Sequence, residues 1–171
     1  KALINIMSIS ELNASFNSRR LLDKAISQSQ IEIITLLAER GCEAQYSFKC
    51  LYPYDTYCTP LILSAEKNDL KMMILLLEKF KFIHTNSYGI NTSYEGKSPL
   101  HHAVIHQNLE MAELILKQPG ASVETGNNPT PFHIAFTTRQ KEMLKLLIHY
   151  GARAESSFEP YRTYYHEAAR S

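Results

Sequence analysis

One short phrase returns along this chain: a hydroxyl residue, usually Pro, an apolar residue, often His, and then Ala. It reads Thr59-Pro60-Leu61-Ile62-Leu63-Ser64-Ala65, Ser98-Pro99-Leu100-His101-His102-Ala103, Thr130-Pro131-Phe132-His133-Ile134-Ala135 and Thr163-Tyr164-Tyr165-His166-Glu167-Ala168. A weaker copy without Thr-Pro stands upstream as Arg20-Leu21-Leu22-Asp23-Lys24-Ala25. The copies start at 20, 59, 98, 130 and 163, in steps of 39, 39, 32 and 33 residues. A period in this range marks a stacked helical array, in which no single unit can bury its apolar face alone.

The phrase has a mechanical meaning. Thr or Ser offers an oxygen to the free N–H groups at a helix start. Pro in the next position gives up an N–H that would have been unpaired there anyway. Each copy therefore announces a short first helix. A polar break follows at Asn68-Asp69, Gln107-Asn108 or Arg139-Gln140, and then a second apolar run: Ile31–Leu37, Leu70–Leu77, Leu109–Leu116 and Lys141–Ile148. Met72-Met73-Ile74-Leu75-Leu76-Leu77 is apolar on every face and has the length of a buried strand. Its Leu and Met content favours a helix sandwiched between neighbours. Gly41, Gly120 and Gly151 stand where left-handed caps would end three of the second helices.

These features resemble the ankyrin repeat family. The Thr-Pro-Leu-His-x-Ala phrase, the Leu-Leu pairs and the trailing Gly120-Ala121 and Gly151-Ala152 sit in that family's register. The resemblance runs from Arg20 to the last residue. It implies an all-α solenoid of helix-turn-helix pairs, with repeats at 20–58, 59–97, 98–129, 130–162 and a partial fifth at 163–171. Residues 1–19 are expected to cap the array or to end a preceding element. Arg20-Leu21 and Thr163-Tyr164 lack the Pro, Asp23 and Ile62 replace the His, and Pro119 reads as a one-residue insertion. His101, His133 and His166 occupy the slot where, in the family, the ring bonds backbone and ties adjacent repeats. The Ile- and Lys-rich, Gly-poor repeats are similar to those of bacterial effectors or viral ankyrin proteins.

Two connectors exceed the family's usual spacing, Ala44–Cys58 and Phe80–Lys97, and the resemblance makes them hairpin fingers. Six of the ten tyrosines lie in them: Tyr46, Tyr52, Tyr54, Tyr57, Tyr88 and Tyr94. Exposed tyrosines give large contact area at low entropic cost, which suits a binding surface; packed on one another, the rings would instead stiffen the fingers. The resemblance also implies a groove lined by the first helices. Carried onto this chain it comprises Ser27, Gln28, Glu66, Lys67, Ile105, His106, Thr137 and Thr138, joined by Cys58, Lys97, Pro129 and Arg162. Ile105 would be its apolar spot, either an anchor for a partner or one of the scattered apolar residues any surface carries.

Charge and motifs bound the remaining classes. Eighteen basic and seventeen acidic residues leave a net charge of +1, far from the basic excess of a phosphate-driven nucleic-acid binder. No apolar stretch is long enough to span a bilayer. Cys42, Cys50 and Cys58 are odd in number, with no Cys-x-x-Cys pair, which argues for an intracellular chain rather than a disulfide framework or a zinc ribbon. Asn13-Ala14-Ser15 and Asn91-Thr92-Ser93 match the short glycosylation pattern, one common by chance. His102, His106 and Glu110 would present three metal ligands on one continuous helix, but the break at Gln107-Asn108 scatters them. A thiolate nucleophile needs an oriented base within reach; Cys58 and His84 could approach one another between the fingers, but the sequence does not favour that chemistry. No Gly-rich phosphate loop, nucleophile elbow or His-Glu-x-x-His is present.

The expectation is a monomeric, non-catalytic protein-interaction module without cofactor, gripping a protein partner with the fingers and the groove. The alternative is a substrate-recruiting arm of a larger enzyme or effector. The first residue, Lys, and the truncated fifth repeat are compatible with an excised domain.

Overall fold

The computed structural model describes residues 16–40, 48–50, 56–80, 89–125 and 129–153, with side chains left undescribed at 16–20, 23, 48–50 and 56–58. The chain divides into two compact units, Lys1–Gly89 and Ile90–Ser171. In unit 1 the helices are α1 (Phe16–Ser27), α2 (Ile31–Glu39), α3 (Pro60–Glu66) and α4 (Leu70–Lys79), with strands β1 (Phe48–Cys50) and β2 (Thr56–Cys58) between α2 and α3. In unit 2 they are α5 (Pro99–Ile105), α6 (Leu109–Leu116), α7 (Pro131–Thr137) and α8 (Lys141–His149).

Helix starts follow the expected chemistry. Thr59, Ser98 and Thr130 are N-caps whose hydroxyls accept from the N–H groups of Ile62, His101 and His133, with Pro60, Pro99 and Pro131 opening the helices. Asp69 and Asn108 cap α4 and α6 in the same way through Met72 and Met111. Helix α1 departs from expectation by starting at Phe16, ahead of the weak phrase at Arg20.

First helices all end alike. Ser29, Asn68, Gln107 and Arg139 take left-handed backbone, with φ of 52°, 53°, 55° and 58°. The residue after each donates its N–H back to Ala25, Ser64, Ala103 and Ala135 at 2.8–2.9 Å. This is the double bonding of a Schellman turn, normally closed by Gly. It also sets the register between repeats. Ser64, rather than Ala65, holds the small-residue slot of the second repeat, and its buried hydroxyl donates to the Leu61 carbonyl at 2.9 Å.

Of the three glycine caps, Gly151 (φ 91°) ends α8 as expected, with Ala152 donating to Leu147. Gly41 lies outside the described residues. Gly120 is corrected: α6 already ends at Leu116, and Gly120 (φ 76°) sits in the following turn, where Ala121 N–H donates to the Gln118 carbonyl at 3.0 Å. Pro119 causes the shift, since its fixed φ suits the second position of a turn whose third position wants Gly.

In unit 1, α1 packs on α2 and α3, and α4 packs on α2 and α3. In unit 2, α5 packs on α6 and α7, and α8 on α6 and α7. Within each unit the helix pairs are thus stacked, first helix on first and second on second. The apolar run of α4 is helical, as its composition requires, and buries Met72, Met73 and Leu76. Leu22, Ile34, Leu37 and Leu61 complete that core; Leu100, Met111, Leu144 and Leu147 form the equivalent one in unit 2.

Candidate functional site

The connectors come first. Between α2 and α3 the expected hairpin is present: β1 and β2 pair antiparallel, with Phe48 opposite Cys58 and Cys50 opposite Thr56. The second connector closes on a tight turn in which Tyr94 and Lys97 exchange backbone hydrogen bonds of 3.0 and 2.9 Å. Glu95 and Gly96 both have positive φ there, the hairpin turn whose twist matches paired strands. The Tyr94 ring is half-buried, and its hydroxyl donates to the Glu95 carboxylate at 2.9 Å. Tyr46, Tyr52, Tyr54 and Tyr88 lie outside the described residues, as does the side chain of Tyr57 and the whole of Arg162.

The groove positions are better defined. Register places Ser27, Glu66, Ile105 and Thr137 at equivalent points, each the last residue of a first helix. Gln28, Lys67, His106 and Thr138 follow them, and all eight are exposed. They are exposed because the two preceding residues of each helix turn inward or sideways. Ala25, Ser64, Ala103 and Ala135 are buried, and a small side chain there lets neighbouring helices approach.

Within unit 1, the Lys67 ammonium donates to the Ser27 carbonyl, joining the ends of α1 and α3. Within unit 2, Gln140 does the equivalent work from the next turn. Its amide donates to the Val104 carbonyl at 2.9 Å and to the Thr138 hydroxyl at 2.8 Å. Gln140 makes no side-chain cap on its own helix, so this bridge is where its amide is spent. It brings the end of α7 against the end of α5 and sets Thr138 beside the Val104-Ile105 peptide. Ile105 is 43 % exposed at that seam.

Lys97 and Pro129 are exposed at the other end of the same helices, in the approaches to the Ser98 and Thr130 caps. His102 lies half-buried between Lys97 and His106. Burial, then the charge of Lys97, then the rings of His106 and His101, lower its pKa to about 4. It is therefore neutral at physiological pH. Helix α5 stops at Ile105 and α6 starts at Leu109, so His102 and His106 do not share a helix with Glu110. Among the described residues, no group of three or more His, Cys, Asp or Glu side chains could hold a metal ion.

A polar network beneath this face was not legible in the sequence. Ser98 N–H donates to His101 Nδ1 at 3.1 Å, and the Ser98 hydroxyl lies 2.8 Å from that same nitrogen. The Thr125 hydroxyl, from the loop leading to the next repeat, donates to the Ser98 oxygen at 2.8 Å. The hydrogen bonds at His101 Nδ1 thus tie the start of the repeat to the loop at its end, through a cap hydroxyl. His133, in the same slot one repeat on, is exposed. Two further ties hold the loops of unit 2. Asn91 donates to the Gly120 carbonyl at 2.7 Å and accepts from Ser122 N–H at 2.8 Å, and Glu124 accepts from Arg153 N–H at 2.9 Å. Asn91, one of the two glycosylation matches, therefore has its amide engaged on both sides.

Comparison with known proteins agrees with this architecture. A family model described as ankyrin repeats (3 copies) matches residues 44–127 and 80–158, more than half of the chain. An I-kappa-B like protein C2 of Microplitis demolitor bracovirus is 31 % identical over 102 residues, covering 57 % of this chain and 53 % of the relative. Alpha-latrotoxin-Lg1a of Latrodectus geometricus is 26 % identical over 133 residues, 77 % of this chain but 9 % of the toxin. The chain thus spans about half the length of one curated relative and under a tenth of the other. Among the described residues, no helix is long and apolar enough to cross a membrane.

Proposed function

Because this chain belongs to the ankyrin repeat family, whose repeats generally mediate protein–protein interaction, we propose that it is a non-catalytic module that holds a partner protein. The partner lies along the exposed ends of the first helices, and the Tyr-rich fingers close on it. One observation carries the reading: Glu66-Lys67, Ile105-His106 and Thr137-Thr138 recur as exposed pairs at the same register point in consecutive repeats. Beneath them the small-residue slot stays buried. Within each unit, such a position on stacked first helices sets exposed side chains of neighbouring repeats beside one another, which suits recognition of an extended surface. Ile105 supplies the apolar anchor, and the polar residues around it set orientation.

The module acts as a monomer inside the cell, without metal or cofactor. The fingers contribute Tyr46, Tyr52, Tyr54, Tyr57, Tyr88 and Tyr94, and the groove adds Lys97. Affinity capture from lysate, read by mass spectrometry, tests both surfaces at once. Ile105→Asp is expected to abolish capture of a specific partner, and Tyr54→Ala with Tyr88→Ala to weaken its binding by more than about tenfold, or about 1.4 kcal/mol. Both variants should melt near the wild-type temperature. A partner retained by both variants overturns the reading, and a collapsed melting temperature in the double variant makes those rings structural.

A further inference from the structure

Resting on the groove reading above, we propose that the first-helix face of unit 2 takes an acidic peptide segment of its partner, anchored by an apolar side chain against Ile105. The observation is a separation of charge between the two layers of that unit. Residues 97–108 and 130–140, which carry α5, α7 and their flanking turns, contain no Asp or Glu. They contain Lys97, His101, His102, His106, His133 and Arg139. The carboxylates of the paired helices sit in the other layer, at Glu110 and Glu113 of α6 and Glu142 of α8.

The cations of the two layers are also used differently. On the second helices, Lys117 pairs with Glu113 at 2.6 Å and Lys145 with Glu142 at 3.9 Å. Lys97, on the first-helix side, is exposed and makes no ion pair among the described residues. The neighbouring carboxylate in sequence, Glu95, accepts from the Tyr94 hydroxyl. Lys97 precedes the Ser98 cap of α5, His106 follows its last residue, and the half-buried His102 lies between them along the helix, so the three form one candidate patch. The Gln140 bridge from Val104 to Thr138 seats Ile105 and the end of α7 in that same patch.

A carboxylate-bearing segment meets attraction there from Lys97 and Arg139, both exposed on that side of the unit. A lysine-rich segment meets Lys97 and Arg139 as like charges, and residues 97–108 and 130–140 offer it no carboxylate to pair with, so specificity follows from that repulsion. A phosphate polymer shares the sign but not the apolar anchor, and the chain's net charge of +1 is small for such a ligand.

The test uses the full chain and three labelled peptides of equal length and leucine content, with glutamate, lysine or glutamine at the remaining positions. Binding is read by fluorescence anisotropy at about 50 mM and about 300 mM salt. The glutamate peptide should bind at least about tenfold tighter than the lysine peptide, and should lose affinity as salt rises. Lys97→Gln with His106→Gln should erase most of that preference. Ile105→Ser should weaken the glutamate and glutamine peptides alike, and Lys117→Gln should change nothing. Equal binding of all three peptides, or equal losses from Lys97→Gln and Lys117→Gln, overturns the acidic preference while leaving the groove reading standing. So does competition by a single-stranded oligonucleotide as strong as that by unlabelled glutamate peptide. If no peptide binds, the acidic proposal falls, and the groove reading is then judged by the lysate capture alone.

Discussion

In unit 1 the third residue of the capped first helix is Ile62, and in unit 2 it is His101; each is 1 % exposed. Around Ile62 the neighbours are apolar, α3 is buried from Pro60 to Ala65, and the Thr59 cap holds the Ile62 N–H at 3.3 Å. Around His101 the cap closes in both directions through Ser98, and Thr125 joins from the next loop. The same backbone slot is thus stabilised by transferred apolar area in one unit and by hydrogen bonds at His101 Nδ1 and the Ser98 hydroxyl in the other. The first holds its own repeat tightly. The second also ties the start of its repeat to the loop at its end, through the Thr125 hydroxyl.

The largest break in that comparison should come from the apolar side. Ile62→Ala is expected to cost about 2–5 kcal/mol, as is Leu76→Ala, since each leaves a cavity in a closed core. Denaturant unfolding measures it, and a loss below about 1 kcal/mol would mean the slot in unit 1 collapses freely. Next comes His101→Ala, expected to cost about 1–3 kcal/mol through a lost capping partner and an unmet buried hydroxyl. If the networks act as described, Thr125→Val made together with His101→Ala costs less than the two singles added, which a double-mutant cycle reads directly.

The turns sharpen the contrast on a smaller scale. Gln107→Gly in unit 2 should stabilise by about 1 kcal/mol, because only Gly occupies left-handed backbone without steric cost. Asn68→Gly at the same point of unit 1 should gain less, since Asn tolerates that conformation better. Equal gains would show that the turn residues are otherwise held by their surroundings.

The last test is a pH slope in unit 2, set by His102. Above about pH 6.5 His102 is neutral folded and unfolded, and contributes no slope. Between the ordinary value of 6.5 and the folded value of about 4, the unfolded chain takes up a proton that the folded chain refuses. Stability therefore falls as pH drops through that window and levels off below it. His102→Gln should flatten this part of the profile when urea midpoints are compared across it. An unchanged profile would place His102 in solvent.

Much of the fold was legible in the chain itself. Thr59-Pro60, Ser98-Pro99 and Thr130-Pro131 mark helix starts because a hydroxyl and a missing N–H act within one turn, and no distant partner is needed. The apolar run at Met72–Leu77 was legible as a buried helix from its Leu and Met content, against a length that also suits a strand. The glycine at 120 misled, because the inserted Pro119 moved it from a cap into a turn. Groove positions were reachable through the family's register alone, since exposure is a property of the stacked pair and not of the local residues.

Local chemistry along the chain therefore determined where the Thr-Pro and Ser-Pro helices begin, the repeat period and the all-α class. Tertiary structure decided which polar residues became ties. Gln140 reads as part of a polar break and reaches the Val104 carbonyl, and Thr125, which no motif marks, completes the Ser98 cap. A cap is set by neighbours one turn away, whereas a tie depends on which backbone groups another repeat leaves within about 3 Å, and that distance exists only once the repeats have stacked.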